Sequence, residues 1–176
     1  MQTTPYEVRR LAEDDAERFL TLRLQGLKEA PSAFGSTYEE DAARGIDFIR
    51  MLCRKSQEQD SHAIFGAFQQ SELVGVVGIM QGEKIKNRHR ATLWGMYVTP
   101  AARGVGVGRL LCQALIEHAR SNLVEVEAID LMVESANEPA KKLYAAMGFK
   151  WWGTQPRALK FGGQYFDEDC MALVLV

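Results

Sequence analysis

The chain has 176 residues, 47% of them hydrophobic, with 21 basic and 23 acidic side chains and a net charge of -2. That is enough apolar chain for one enzyme-sized domain over residues 1–176, and no linker-like shift in composition divides it. Basic residues gather only at Lys84, Lys86, Arg88, His89 and Arg90, the three cysteines lack metal or disulfide spacing, and no apolar run approaches a membrane span; nucleic acid, metal and membrane are therefore not expected as partners, and a soluble, cytoplasmic protein is.

In chain order, Tyr6 to Arg10 reads as a short strand, and Glu13 to Glu29 as a helix opened by acidic residues, with Ala16, Leu20, Leu24 and Leu27 on one side. A second helix is expected over Thr37 to Lys55. His62 to Phe68, Leu73 to Gln81 and Ala91 to Val98 read as strands of an antiparallel meander.

After Val98 come Thr99-Pro100-Ala101-Ala102-Arg103-Gly104-Val105-Gly106-Val107-Gly108-Arg109. Alternate glycines let a backbone turn several N–H groups toward one point, and the helix beginning there adds its positive dipole end. A phosphorylated ligand is the expected occupant. Val107, Leu110, Leu111, Ala114, Leu115 and Ala119 supply that helix with an apolar face, leaving Gln113, Glu117 and Arg120 for the other. A P-loop is excluded, because Arg109-Leu110 stands where lysine and a hydroxyl residue are required, and the dinucleotide fingerprint is matched only in degenerate form.

Glu127 to Val133 reads as another strand. Asn137 is a candidate cap for a short helix with Pro139 in its first turn, an apolar side at Leu143 and Met147, and a stop at Gly148-Phe149. Asn137, Ala140 and Tyr144 fall on one face of it. Two final strands meet across Gly162-Gly163 as a hairpin.

These blocks resemble the GNAT superfamily of acyl-CoA-dependent N-acyltransferases. Its signature of Gln or Arg, two residues, Gly, one residue, then Gly or Ala stands here as Arg103-x-x-Gly106-x-Gly108. The likeness extends upstream into Leu93-Trp94-Gly95-Met96-Tyr97-Val98 and downstream into Asn137 to Phe149, and more loosely from about residue 5 to the C-terminus. The resemblance implies an α/β (α+β) fold: a mixed, mostly antiparallel sheet of six to seven strands, a central parallel pair splayed apart, and helices on both faces. It implies acetyl-CoA as donor, with backbone groups of Met96, Tyr97 and Val98 on the pantetheine arm. Arg103, Gly104, Val105, Gly106, Val107, Gly108 and Arg109 would hold the pyrophosphate, with Asn137 and Tyr144 on the far side.

The implied reaction is transfer of an acetyl group to a primary amine of a small molecule or peptide. A backbone N–H at Val98 or a neighbour would stabilise the oxyanion, and Tyr144 occupies the position where many members carry a general-acid tyrosine. Many members also place a carboxylate on the strand matching Leu93 to Val98. This chain has none, and Glu134, Glu39 and Glu40 are the substitutes considered for the base. His89 is read as a surface residue and Cys112 as a small buried one. Pro31 to Glu40 and Gln155 to Lys160 look like acceptor-site elements, and a homodimer through the C-terminal strand is a further expectation. A CoA-binding sensor or regulatory module without turnover is the alternative. A nicotinamide-nucleotide enzyme rests only on the degenerate glycine pattern.

Overall fold

Strand and helix periodicities assemble into one seven-stranded sheet in the order β1-β2-β3-β4-β5-β7-β6. The computed structural model describes residues 5–175. The strands are β1 (Tyr6–Arg10), β2 (Ile64–Gln69), β3 (Glu72–Gln81), β4 (Arg90–Val98), β5 (Ala128–Glu134), β6 (Lys150–Phe161) and β7 (Gln164–Val174). The helices are α1 (Ala16–Glu29), α2 (Tyr38–Glu58), α3 (Val107–Asn122) and α4 (Glu138–Ala146). Every neighbouring pair is antiparallel except β4 with β5.

Each sheet face buries its own helix pair. The front core joins α1 and α2 to Ile64, Phe68, Leu73, Val76 and Tyr97, while the rear core joins α3 and α4 to Val77, Ile79, Leu93, Ile129, Leu131 and Met171. Leu111 and Leu115 of α3 are completely buried; at about 2 kcal/mol for each such side chain they fix the helix behind β4.

Local details differ from the sequence reading in physical ways. The buried stripe of α1 is Ala16, Phe19, Leu22, Gly26 and Leu27, with Leu20 and Leu24 only half-buried. The Tyr97 ring lies where a Cβ on Gly26 would stand, 3.0 Å from its position, so the helix turns that flank onto the sheet. In α2 Thr37 caps the helix reciprocally with Glu40, and the helix kinks at Gly45.

Position 95 matters most for the site. Val76 pairs with Tyr97 and Gly78 with Trp94, so two β4 residues, Gly95 and Met96, oppose Val77 alone. This is a β-bulge, and Gly95 takes φ 65°, which a side chain would strain. β4 and β5 pair only from Arg90 to Thr92, opposite Ala128 to Asp130. Beyond that point the parallel strands part, leaving a gap between Leu93–Val98 and Leu131–Glu134.

Candidate active site

The gap strips β4 of one hydrogen-bonding neighbour. The Thr99 N–H donates to the Val74 carbonyl, and by the alternation of an antiparallel ladder Tyr97 is likewise tied to β3. Met96 and Val98 therefore turn their N–H and C=O groups toward the gap. Tyr97, expected to offer backbone groups, lines the groove with its backbone paired to Val76 of β3 and its ring in the front core.

Below the end of β4 the chain makes a turn at Pro100–Ala102 and enters the glycine loop. Gly104 has φ 76°, and Gly106, the N-cap of α3, has φ 95°. No heavy atom lies within 4 Å of where a Cβ would stand on either residue, so the loop presents bare backbone at a helix N-terminus. Such a concavity suits a phosphate. Gly108 plays another part: a Cβ there would meet Leu143 at 3.0 Å and Met96 at 3.3 Å, and its absence lets β4, α3 and α4 converge.

A groove of about 690 Å³ runs along these features, bounded by Met96–Val98, Arg103, Gly104, Gly106, Gly108 and Arg109 on one side. Asn137, Pro139, Ala140 and Leu143 of α4 bound the other, and Glu29, Ala30, Ala33 and Phe34 close the end beside α1. Val105 and Val107 do not line it: the first side chain is exposed and the second is in the rear core. Any part they take is through the backbone.

The two arginines differ. Among the described residues Arg109 forms no ion pair, leaving its charge for an anion. Arg103 turns back instead. Its Nε donates to the Val98 carbonyl at 2.9 Å, and its Nη2 pairs with Glu29 at 2.5 Å. Glu29 also accepts from the Tyr97 hydroxyl at 2.7 Å, which, with the Arg103 contacts, holds its carboxyl below the usual range. Burial, reinforced by Glu29, pushes the Tyr97 phenol up to about 12. Glu29 and Arg103 thus clamp the end of β4.

On α4, Asn137 caps the helix by accepting from the Ala140 N–H at 3.2 Å. Asn137 and Ala140 reach the groove, but Tyr144 does not line it. Its ring turns inward, edge-on to Phe149 at 5.9 Å, and burial raises its phenol well above the ordinary range, so the proton is kept. Near by, Asp169 accepts from Ser135 at 2.9 Å and Thr154 at 2.7 Å and pairs with Lys141 at 3.0 Å, which ties α4 to β5, β6 and β7.

Glu134, at the end of β5, accepts from the Ser32 hydroxyl at 2.8 Å. Directly across the ladder stands Glu168 of β7, whose carboxyl is pushed up by burial and then by the Glu134 charge. Sequence reasoning missed Glu168, because its pairing with residue 134 follows only from the strand register. Glu40 is spent on the α2 cap, and Glu39 is an exposed first-turn residue. Cys112 is buried, its thiol pushed up to about 12. Among the described residues no group of three or more metal-binding side chains is gathered, and no helix is long and apolar enough to cross a membrane.

Comparison with known proteins agrees with this geometry. The acetyltransferase (GNAT) family model matches residues 11–149. The mycothiol acetyltransferase of Acidothermus cellulolyticus is 28% identical over 156 residues, covering 81% of this chain and 43% of that protein. The protein YqkA of Bacillus subtilis is 32% identical over 108 residues, covering 60% of this chain and 29% of that protein. This chain therefore matches less than half the length of either relative. A GNAT-family acetyltransferase of Streptococcus pneumoniae superposes with a TM-score of 0.85 at 20% identity, over 97% of this chain and 99% of that one. A putative acetyltransferase of Salmonella typhimurium, solved with acetyl-CoA, gives 0.85 at 19% identity over 97% and 94%. By the family match, and with a fold that agrees, the chain belongs to the GNAT family of acetyltransferases.

Proposed function

We propose that this chain, read as one catalytic domain, transfers the acetyl group of acetyl-CoA to a primary amine of a small molecule or peptide by direct attack of the amine. The observation that carries this reading is the parted β4–β5 pair, whose exposed β4 edge turns the Met96 backbone and the Val98 N–H toward the gap, opening above a glycine loop whose bare N–H groups meet a helix N-terminus. Acetyl-CoA, when bound, supplies a thioester carbonyl and a thiolate leaving group.

Gly104, Gly106 and Arg109 hold the phosphates, and the backbone of Met96 and Val98 orients the pantetheine arm. A backbone N–H at Val98 or its neighbour, on a strand fixed by Arg103 and Glu29, faces the oxygen where negative charge develops. Tyr144, protonated throughout the physiological range, is the residue of α4 assigned to protonate the departing sulfur. Glu134 takes the proton of the amine, with Glu168 beside it.

The second reading, a CoA-binding module without turnover, has one observation in its favour: the front of β4 carries Arg90, Thr92 and Trp94 and no carboxylate. Thiol release from acetyl-CoA with an amine panel decides between the two. An enzyme releases CoA with at least one amine, and Tyr144→Phe lowers its kcat by about a hundredfold while acetyl-CoA affinity stays within threefold. A module binds acetyl-CoA and releases none; an unchanged kcat in Tyr144→Phe removes that residue from the mechanism.

A further inference from the structure

The front of the sheet is covered only in part. α1 and α2 lie over β1 to β4, whereas Met80 and Met132, on the same face by register through Thr92 and Asp130, are 45% and 47% exposed. Alternation places Trp94 of β4, Met132 and Glu134 of β5, and Glu168 of β7 on this open face, since Ile129, Leu131, Val133, Met171 and Leu173 point into the rear core. An acceptor approaching the gap from the side opposite α3 and α4 meets these residues.

At the helix-side rim stands Arg23 of α1. Its Nη1 lies 3.7 Å from where a Cβ on Gly95 would be, so its guanidinium reaches the bulge where β4 leaves β5. Its Nε donates to Asp41 at 2.5 Å, and Asp41 is 2% exposed. Arg44 reaches the same carboxylate at 3.5 Å and also neighbours the Glu40 charge, whereas among the described residues Arg23 pairs with no carboxylate but Asp41. The Arg23 side chain is only 14% exposed, yet among the described residues its Nη atoms donate to no acceptor. Spare donors on a mostly buried, rigidly held guanidinium fit a carboxylate, which accepts such a fork in two parallel bonds. Across the gap the polarity reverses. The β4–β5 register carried onward sets Met96, next to Gly95, level with Glu134, and Glu168 faces Glu134 across β7.

We propose that the acceptor is a small zwitterion, an amine that also carries a carboxylate, and that Arg23 binds the carboxylate while the amine lies toward Glu134 and Glu168. This rests on the acetyltransferase reading above. A polyamine would set a second ammonium against Arg23, and a dicarboxylate would set one against the glutamates. Gly95 contributes by leaving the space between Arg23 and the gap free of any side chain.

The test is CoA release with free amino acids of each side-chain type, each compared with its carboxamide and its decarboxylated amine. The free acids are expected to exceed their amides in kcat/KM by about tenfold or more. Removing Arg23 alone leaves the buried Asp41 only its longer contact with Arg44, so the variants are Arg23→Gln with Asp41→Asn, and Arg23→Lys, which keeps the charge and the Asp41 partner but loses the planar fork. Both should melt cooperatively, and both should lower the acid-to-amide ratio, chiefly through KM, the double variant to near one. Amides or simple amines acetylated as well as the acids, or a ratio that survives in both variants, would overturn the inference. So would failure of every carboxylate-bearing amine; the transferase reading then stands if another amine releases CoA and falls if none does, whether or not acetyl-CoA binds.

Discussion

Asp169→Asn probes the network that holds α4 in place. The native carboxylate is 7% exposed and accepts from Ser135 and Thr154 while pairing with Lys141. Asparagine keeps an oxygen for the hydroxyls but turns an amide donor toward the Lys141 ammonium. Loss of a hydrogen bond to a charged group costs about 1.5–3 kcal/mol, and Lys141 is not stranded, because it also donates to the Ser135 carbonyl and to Glu138, both at 2.9 Å. A loss of about 2 kcal/mol follows, or about 4–8 °C in Tm for a chain of this size. The pH dependence supplies a second readout. Bonds from Thr154, Lys141 and Ser135 lower the folded carboxyl from 3.8 to about 2, so its contribution is complete above about pH 4, declines as pH falls from there and is gone below about pH 2. Differential scanning calorimetry between pH 3 and pH 7 should show a gap between wild type and variant that is widest at neutral pH and narrows in acid. A variant melting within 1 °C of wild type at pH 7, or a gap that does not change with pH, would refute the reasoning.

Glu29→Gln tests the clamp on β4: with Arg103 no longer held by a carboxylate, acetyl-CoA binding should weaken about three- to tenfold in a calorimetric titration. A tighter complex would mean instead that Glu29 restrains Arg103 from the phosphates. Cys53 and Cys112 are buried with their thiols pushed up to about 12, so at pH 8 a disulfide reagent should modify no more than one thiol of the native chain, Cys170, and all three after denaturation. Rapid native reaction at Cys112 would contradict its placement.

Much of this site was legible because local chemistry writes it. The Asn137 cap, the left-handed stop at Gly148, the Gly162-Gly163 turn and the glycine loop each depend on a few adjacent residues and recur in the structure. The β4 bulge has a sequence signal, a glycine inside an apolar strand. Other features had none. Glu29 meets Tyr97 and Arg103, and Ser32 meets Glu134, only after α1 packs on the front of the sheet. The inward turn of Tyr144 depends on Phe149 filling the rear core, and helical spacing alone sets an angle about an axis, not the depth at which a ring comes to rest.

The central claim is that the glycine loop and the β4–β5 gap form an acetyl-CoA site, and calorimetric titration of acetyl-CoA into wild type and Gly106→Glu, with NADH as control, tests it most directly. At φ 95° the substitution costs about 1–2 kcal/mol of strain, and with no atom within 4 Å of the new Cβ the chain can still fold. Its carboxylate then lies in the cradle. Saturable acetyl-CoA binding by wild type, weakened at least tenfold in the variant, with no heat from NADH, is the predicted result. No acetyl-CoA binding by wild type, or equal affinity in Gly106→Glu, would contradict it.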